Sequence, residues 1–241
     1  MLPIQADFER IGRQYPKTDK ISQHGYHRSY AHFLAPLRAQ PAISMVEIGV
    51  DKGGSIDFWR DYFPGVRYWG VDIKAVKPSE ELYPGVHVVQ GDQSDVTFLA
   101  SLTQQTGDPV DFIIDDGSHY PVHQVLTFEA IFGPLLKGGG IYIIEDIETS
   151  YWKQHTLFGN RISYGVGHPQ SIVEIFKAIA DCCNSEFSRG ELLTPCNAIS
   201  HASQRMIESI TFAQNALIIV KKNPGAFAAY YNRHYRFFSF T

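Results

Sequence analysis

Apolar residues fall along this chain in two rhythms. Ile4, Phe8, Ile11 and Tyr15 recur at helical spacing and predict an amphipathic helix ended by Pro16. Tyr26, Tyr30, Phe33 and Leu37 mark a second helix, closed before Pro41. From there short apolar, β-branched runs take over: Met45–Val50, Arg67–Ile73, Val86–Val89, Phe112–Ile114 and Ile141–Ile144. The Phe112 and Ile141 runs show no polar alternation, as expected of strands covered on both faces in a parallel sheet. Helical stretches separate the strands at Ile56–Phe63, Asp95–Gln104 and Tyr120–Leu136. Lys137-Gly-Gly-Gly140 predicts a left-handed C-cap for the last of these. Ser171–Cys182 reads as a further amphipathic helix. Arg205–Phe212 and Ala216–Lys222, joined at Gln214-Asn215, read as an antiparallel pair that completes the sheet. The expected fold is α/β: a mostly parallel seven-stranded sheet, an antiparallel C-terminal hairpin, and helices on both faces.

Acids cluster where the strands stop. Asp111-Phe-Ile-Ile-Asp-Asp-Gly-Ser-His119 and Gly140-Ile-Tyr-Ile-Ile-Glu-Asp-Ile-Glu-Thr-Ser-Tyr-Trp152 share one grammar, an apolar run and then carboxylates. Residues just after such strands lie at the carboxyl edge of the sheet, where open α/β sheets bind ligands. Asp115, Asp116 and His119 are therefore expected to face Glu145 and Asp146 across neighbouring strand ends. A single such acid is most simply a strand-end cap. These four acids and the histidine together form an oxygen-rich cluster suited to a hard cation.

The first strand carries a second signal. Glu47-Ile-Gly-Val-Asp-Lys-Gly-Gly-Ser55 joins a strand to a helix through glycines, which let a ligand approach the backbone beside free N–H groups at the helix start. The spacing is not GxGxxG, so a plain tight turn is the competing account. Asp72 ends the second strand about 20 residues after the turn, as a ribose-binding acid does, or as a helix N-cap does. Asp92 after the third strand could accept from an exocyclic amine or cap the next helix. Gly159–Gly167 is glycine-rich and irregular, a candidate lid over the site. His24 and His27 read as surface or capping residues. His119 and His123 lie four apart, but Pro121 starts a helix between them, so they are not expected to form a paired metal site.

Composition narrows the class. The 241 residues suit one α/β domain with additions, and 44% hydrophobic with 19% charged content is ordinary for a globular chain. A net charge of −4 argues against a general nucleic-acid partner. Three cysteines make no disulfide framework, which points to a reducing compartment and a cytoplasmic location. Neither a signal core nor an apolar run of membrane-spanning length is evident, so no membrane role is expected. From Lys221 onward Lys222, Arg233 and Arg236 add positive charge with no acid. Tyr230, Tyr231, Tyr235, Phe237, Phe238 and Phe240 crowd the same end, and are expected to pack on their own domain or on a second subunit of a homo-oligomer. The expected organisation is one domain: a helical cap over 1–41, a core over 42–222 and an aromatic, basic tail over 223–241.

Glu47-Ile-Gly-Val-x-x-Gly-Gly-Ser, Gly-Val-Asp72, Ile-Asp-Asp116-Gly-Ser-His119 and Ile-Glu145-Asp146-x-x-Thr-Ser-Tyr-Trp152 together resemble the class I S-adenosylmethionine-dependent methyltransferases. The match is to the metal-dependent sugar O-methyltransferases of macrolide biosynthesis, the mycinamicin and macrocin type. Thr18-Asp19-Lys20 and His24-Gly25-Tyr26 are similar to that group too. The resemblance implies a Rossmann-like fold and an O-methyltransferase acting on a hydroxyl of a glycosylated natural product. It implies magnesium, or another divalent cation, on Asp116, Glu145 and Asp146, with His119 as general base. It assigns Glu47, Gly49, Gly53, Ser55, Asp72, Asp92 and Asp115 to the S-adenosylmethionine site. Phenol or catechol acceptors, and a non-catalytic S-adenosylmethionine-binding module, are the alternatives.

Overall fold

The computed structural model describes residues 2–74, 83–187 and 196–223. The aromatic tail, with Tyr230 to Phe240 and the basic Arg233 and Arg236, lies outside them. In chain order the elements are α1 (Pro3–Gly12), α2 (Asp19–Ser22), α3 (His27–Leu34), β1 (Ser44–Ile48), α4 (Gly54–Tyr62), β2 (Arg67–Asp72), β3 (Val86–Gln90), α5 (Val96–Thr106), β4 (Val110–Asp115), α6 (Pro121–Leu135) and β5 (Leu136–Glu145). They continue with the short strands β6 (His155–Leu157) and β7 (Asn160–Ile162), then α7 (Ile172–Ala178), α8 (His201–Arg205), β8 (Ile207–Ala213) and β9 (Ala216–Lys221).

Seven strands form one sheet in the order β3-β2-β1-β4-β5-β9-β8. The first five are parallel. β9 runs antiparallel to β5, with Ile143 opposite Ile218, and β8 closes the edge as the hairpin partner of β9. The order reverses between β1 and β4, where Glu47 lies beside Ile114 and Ile48 beside Asp115. The crevice outside such a reversal is where ligands bind in open α/β sheets.

Strand parity divides the core into two layers. Val46, Ile48, Ile113, Tyr142 and Ile144 face α5, α6 and α7. Met45, Phe112, Ile114, Ile141 and Ile143 face α1, α3 and α4. Side chains alternate with period two along a strand. Glu47 and Glu145 therefore project towards the N-terminal helices, whereas Asp115 projects towards α5 and α6.

Three sequence expectations change. The Lys137-Gly-Gly-Gly140 run is not a helix cap, because Leu136 is already extended (φ −86°, ψ 135°) after Pro134 in the last turn of α6. The glycines instead form an irregularity in β5: pairing jumps from Val110↔Leu136 to Phe112↔Ile141, and Gly139 takes φ +79° within it. Gly159 belongs to a two-stranded β6–β7 hairpin, so the irregular stretch begins only after Ile162. The stretch expected as one helix from Ser171 divides into α7, capped by the Ser171 hydroxyl, and a 3-10 segment over Ala180–Phe187. Among the described residues no helix is long and apolar enough to cross a membrane.

Candidate active site

A cavity of about 1100 Å³ opens at the carboxyl ends of β1, β2 and β4. Gly49, Ser55, Asp72, Asp92, Asp116, His119 and Asp146 line it.

The glycine turn after β1 is shaped by the strand next to it. Gly49 has φ +89°, and a Cβ there would lie 2.0 Å from the Asp116 carbonyl oxygen. No side chain fits where the chain leaving β1 passes the chain leaving β4 so closely. Asp72 holds the same turn from the other side. Its Oδ2 accepts from the Val50 and Asp51 N–H groups (3.1 and 2.8 Å), and Oδ1 accepts from Lys74 N–H (2.8 Å). Asp72 is therefore not a helix cap within the described residues. Nor is Asp92: Asp95 caps α5 through the Thr97 and Phe98 N–H groups. Asp92 instead accepts from the Ser94 N–H and hydroxyl, which hold its carboxyl below the usual carboxylate range.

Three assigned cofactor residues do not reach the cavity. Glu47 is fully buried and accepts from the Ser55 hydroxyl (2.6 Å), the Tyr68 hydroxyl (2.5 Å) and Trp59 Nε1 (3.4 Å). Ser55, which lines the cavity, lies between it and the open space. Gly53, with φ +77°, shapes the start of α4 without lining the cavity. Asp115 corrects the expected cluster: by strand parity it faces the layer opposite Glu145. Gln93 Nε2 donates to its Oδ1 at 3.0 Å, and burial pushes its carboxyl up to about 7. Gln93 also accepts from Ser118 N–H at 2.5 Å and so clamps the Asp-Gly-Ser-His loop from beneath.

The remaining acids meet as expected, around a residue the motifs did not assign a role. Lys20, 1% exposed, reaches from α2 into the strand ends. Its Nζ donates to Asp116 Oδ2 (2.7 Å) and to both Glu145 oxygens (2.9 and 2.8 Å), and lies 3.3 Å from Glu47 Oε1. Burial alone would depress the ammonium, but Asp116, Glu145 and Glu47 outweigh it and hold Lys20 well above its ordinary value. Burial and the neighbouring Asp116 raise Glu145 in turn, against the pull of Lys20 and Tyr30. The Tyr30 hydroxyl donates to Glu145 Oε1 (2.6 Å), and the Tyr26 hydroxyl to Asp146 Oδ1 (2.6 Å). Asn215, at the β8–β9 turn with φ +57°, donates to the same Asp146 oxygen (2.9 Å). Lys20, Tyr26 and Tyr30 sit in the polar stretch and second helix read from the sequence. Lys20 and Tyr26 were signalled by the Thr-Asp-Lys and His-Gly-Tyr resemblance, and Tyr26 and Tyr30 otherwise only as apolar positions of that helix.

Asp146 and His119 both occupy left-handed backbone, with φ 53° and 54°. Such conformations cost of order 1–3 kcal/mol and persist where the surroundings enforce them. They aim both side chains at Asp116, and ligand atoms of Asp116, His119 and Asp146 all lie within 4.8 Å of one another. His119 Nε2 is 3.7 Å from Asp146 Oδ2. Its Nδ1 is buried with no partner among the described residues. His123 is separate, since its Nδ1 pairs with the Ser118 hydroxyl at 2.9 Å.

No protein-family model matches the chain. A curated 8-demethyl-8-alpha-L-rhamnosyl tetracenomycin-C 2'-O-methyltransferase of Streptomyces olivaceus is 42% identical over 142 residues, covering 56% of this chain and 36% of the relative. Demethylmacrocin O-methyltransferase of Streptomyces fradiae is 37% identical over 155 residues, covering 61% of this chain and 38% of the relative. The solved structure of MycE methyltransferase from the mycinamycin biosynthetic pathway, in complex with Mg, SAH and mycinamycin VI, superposes with a TM-score of 0.71 at 25% identity. It covers 90% of this chain and 55% of that one. The chain resembles the sugar O-methyltransferases of glycosylated natural products. Its fold is that of a class I methyltransferase. The chain spans little more than a third of the length of these curated relatives (36% and 38%), and about half of MycE (55%).

Proposed function

We propose that the chain is an S-adenosylmethionine-dependent O-methyltransferase acting, with a divalent cation, on a sugar hydroxyl of a glycosylated natural product. The observation that carries this reading is the convergence of Asp116, His119 and Asp146 on the wall of the cavity that Gly49, Asp72 and Asp92 also line. The donor set suits magnesium or another hard divalent ion, since carboxylate oxygens predominate. Asp116 and Asp146 would hold it from the cavity side, and Glu145, expected as a third ligand, lies behind them with both oxygens taken by Lys20. The close backbone approach at Gly49 suits a nucleoside, because bare backbone is exposed beside Asp72. The acceptor class rests on the relatives' names, which specify a rhamnosyl tetracenomycin and demethylmacrocin.

When bound, S-adenosylmethionine supplies the electrophilic methyl carbon, and the cation lowers the pKa of the acceptor hydroxyl. The chain's own residues do the rest. Asp72 takes the ribose hydroxyls and keeps the glycine turn in shape. Asp92 accepts from the exocyclic amine. His119 accepts the acceptor's proton at Nε2, and Asp146 stabilises the resulting imidazolium from 3.7 Å. Lys20 fixes the acids that surround them.

The test is methyl transfer from S-adenosylmethionine to pools of glycosides, catechols and polyketide phenols, with and without EDTA. The expected result is transfer to glycosides that EDTA abolishes and magnesium restores. Transfer to catechols alone would change the acceptor class, and full activity in EDTA would remove the cation. Cofactor binding without transfer to any pool would leave a binding module.

A further inference from the structure

The β6–β7 hairpin carries a phenylalanine that the fold does not use. His155–Leu157 and Asn160–Ile162 pair around a two-residue loop, Phe158-Gly159. Both loop residues have positive φ, 47° and 81°. Asparagine and glycine suit that turn, whereas a bulky side chain holds it against its own Cβ repulsion. Phe158 receives no burial in exchange. It is 72% exposed, yet it lines the large cavity together with Asn160. Its ring centroid lies 6.1 Å from that of His119, with the planes 46° apart. The hairpin is anchored close to the acid cluster: Tyr164 N–H donates to the Trp152 carbonyl (2.8 Å), and Trp152 packs edge-on against His155 at 4.6 Å. Trp152 in turn ends the short 3-10 segment that follows Asp146. A strained, exposed aromatic is thus held at the cavity beside His119.

We propose that Phe158 and Asn160 form the acceptor subsite, and that its ligand is a pyranose ring. The inference rests on the glycoside reading above and adds the residues that select the sugar. A pyranose has an apolar C–H face and a polar hydroxyl edge. The C–H face lies on the Phe158 ring, which offers apolar area and the negative face of its π-system. The amide of Asn160 both donates and accepts, so it meets one hydroxyl in either sense. A neighbouring hydroxyl then faces His119 and Asp146. Left-handed backbone at Phe158, His119 and Asp146 aims all three into one volume.

Saturation-transfer NMR with methyl α-L-rhamnopyranoside, on protein loaded with S-adenosylhomocysteine and magnesium, tests this directly. Wild type is expected to transfer magnetisation to the sugar's ring C–H protons. Phe158→Ala is expected to weaken sugar binding about tenfold, a typical aromatic contribution. Its S-adenosylhomocysteine affinity and melting temperature should not change, because the ring supports neither. Phe158→Asn, which suits the positive φ, guards against a turn that fails to form and should lose the sugar equally. Sugar affinity unchanged in both variants overturns the subsite. Phe158-dependent binding of catechol but not of rhamnoside overturns the pyranose assignment. A wild type that binds no member of a pyranoside panel overturns the glycoside reading and this inference with it.

Discussion

Lys20 Nζ and Asp116 Oδ2 lie 2.7 Å apart, across 96 positions of sequence. This contact ties the N-terminal helices to the carboxyl edge of the sheet. It also inserts one fixed positive charge between the buried carboxylates Glu47 and Glu145 and the half-buried Asp116. Lys20→Met should therefore leave these acids facing one another without a counter-charge, at a cost of about 3–5 kcal/mol. Urea denaturation in EDTA measures the loss, and added magnesium should narrow it by supplying positive charge to the same acids. A variant as stable as wild type in EDTA would show that the acids do not need the ammonium.

The turn that Asp72 holds through the Val50 and Asp51 N–H groups can be separated from its proposed ribose contact. Asp72→Ala should weaken S-adenosylhomocysteine binding by roughly 1.5–3 kcal/mol through loss of a charge-assisted hydrogen bond. Asp72→Asn keeps an acceptor for the turn and should recover part of that loss. Calorimetry giving wild-type affinity in the alanine variant would take Asp72 off the ligand.

His119 and His123 should differ in kind. His119→Ala should retain S-adenosylhomocysteine affinity and lose roughly 10²–10⁴ in turnover, the worth of a general base. His123→Ala should lose far less, because its ring serves the Ser118 hydroxyl. Magnesium titration of His119→Ala decides the remaining ambiguity of the cluster: retained affinity fits a base, and lost affinity makes the imidazole a metal ligand.

His123 should also leave a mark on stability against pH. Burial holds its imidazole below the ordinary 6.5, with Asp92 opposing weakly. The unfolded chain then takes up this proton at a higher pH than the folded one. The stabilisation is complete above pH 6.5 and is lost as pH falls towards the depressed folded value. Melting temperatures of wild type should fall across that window, and His123→Gln should fall less steeply. Parallel curves would place the proton uptake on another group.

Much of the site was legible because strand periodicity is local. The apolar runs before Gly49, Asp72, Asp92 and Asp116 placed each residue at the carboxyl edge, and the structure brings all four to one cavity. The same periodicity, applied one residue at a time, separates Asp115 from Asp116. Adjacent strand residues face opposite layers, so only Asp116 could join Glu145, and the left-handed turn at Asp146 beyond β5 brings that carboxylate round to the same group. The glycines at 138–140 misled because glycine's freedom has more than one use. The positive φ of Gly139 served an irregular strand pairing with β4, not a helix end.

The amino-acid order by itself determined the strands and crossover helices of the sheet, its antiparallel hairpin, and the acids at the strand ends, since these follow from spacing within a few residues. Tertiary structure decided which acids share a charge partner and which are spent on the fold. Lys20, Tyr26, Tyr30 and Asn215 reach Glu145 and Asp146 from both ends of the chain, over separations of 125, 120, 115 and 69 residues. No local pattern encodes such contacts. They exist because packing the N-terminal helices and the β8–β9 turn over the sheet edge buries carboxylates, and buried carboxylates must find donors.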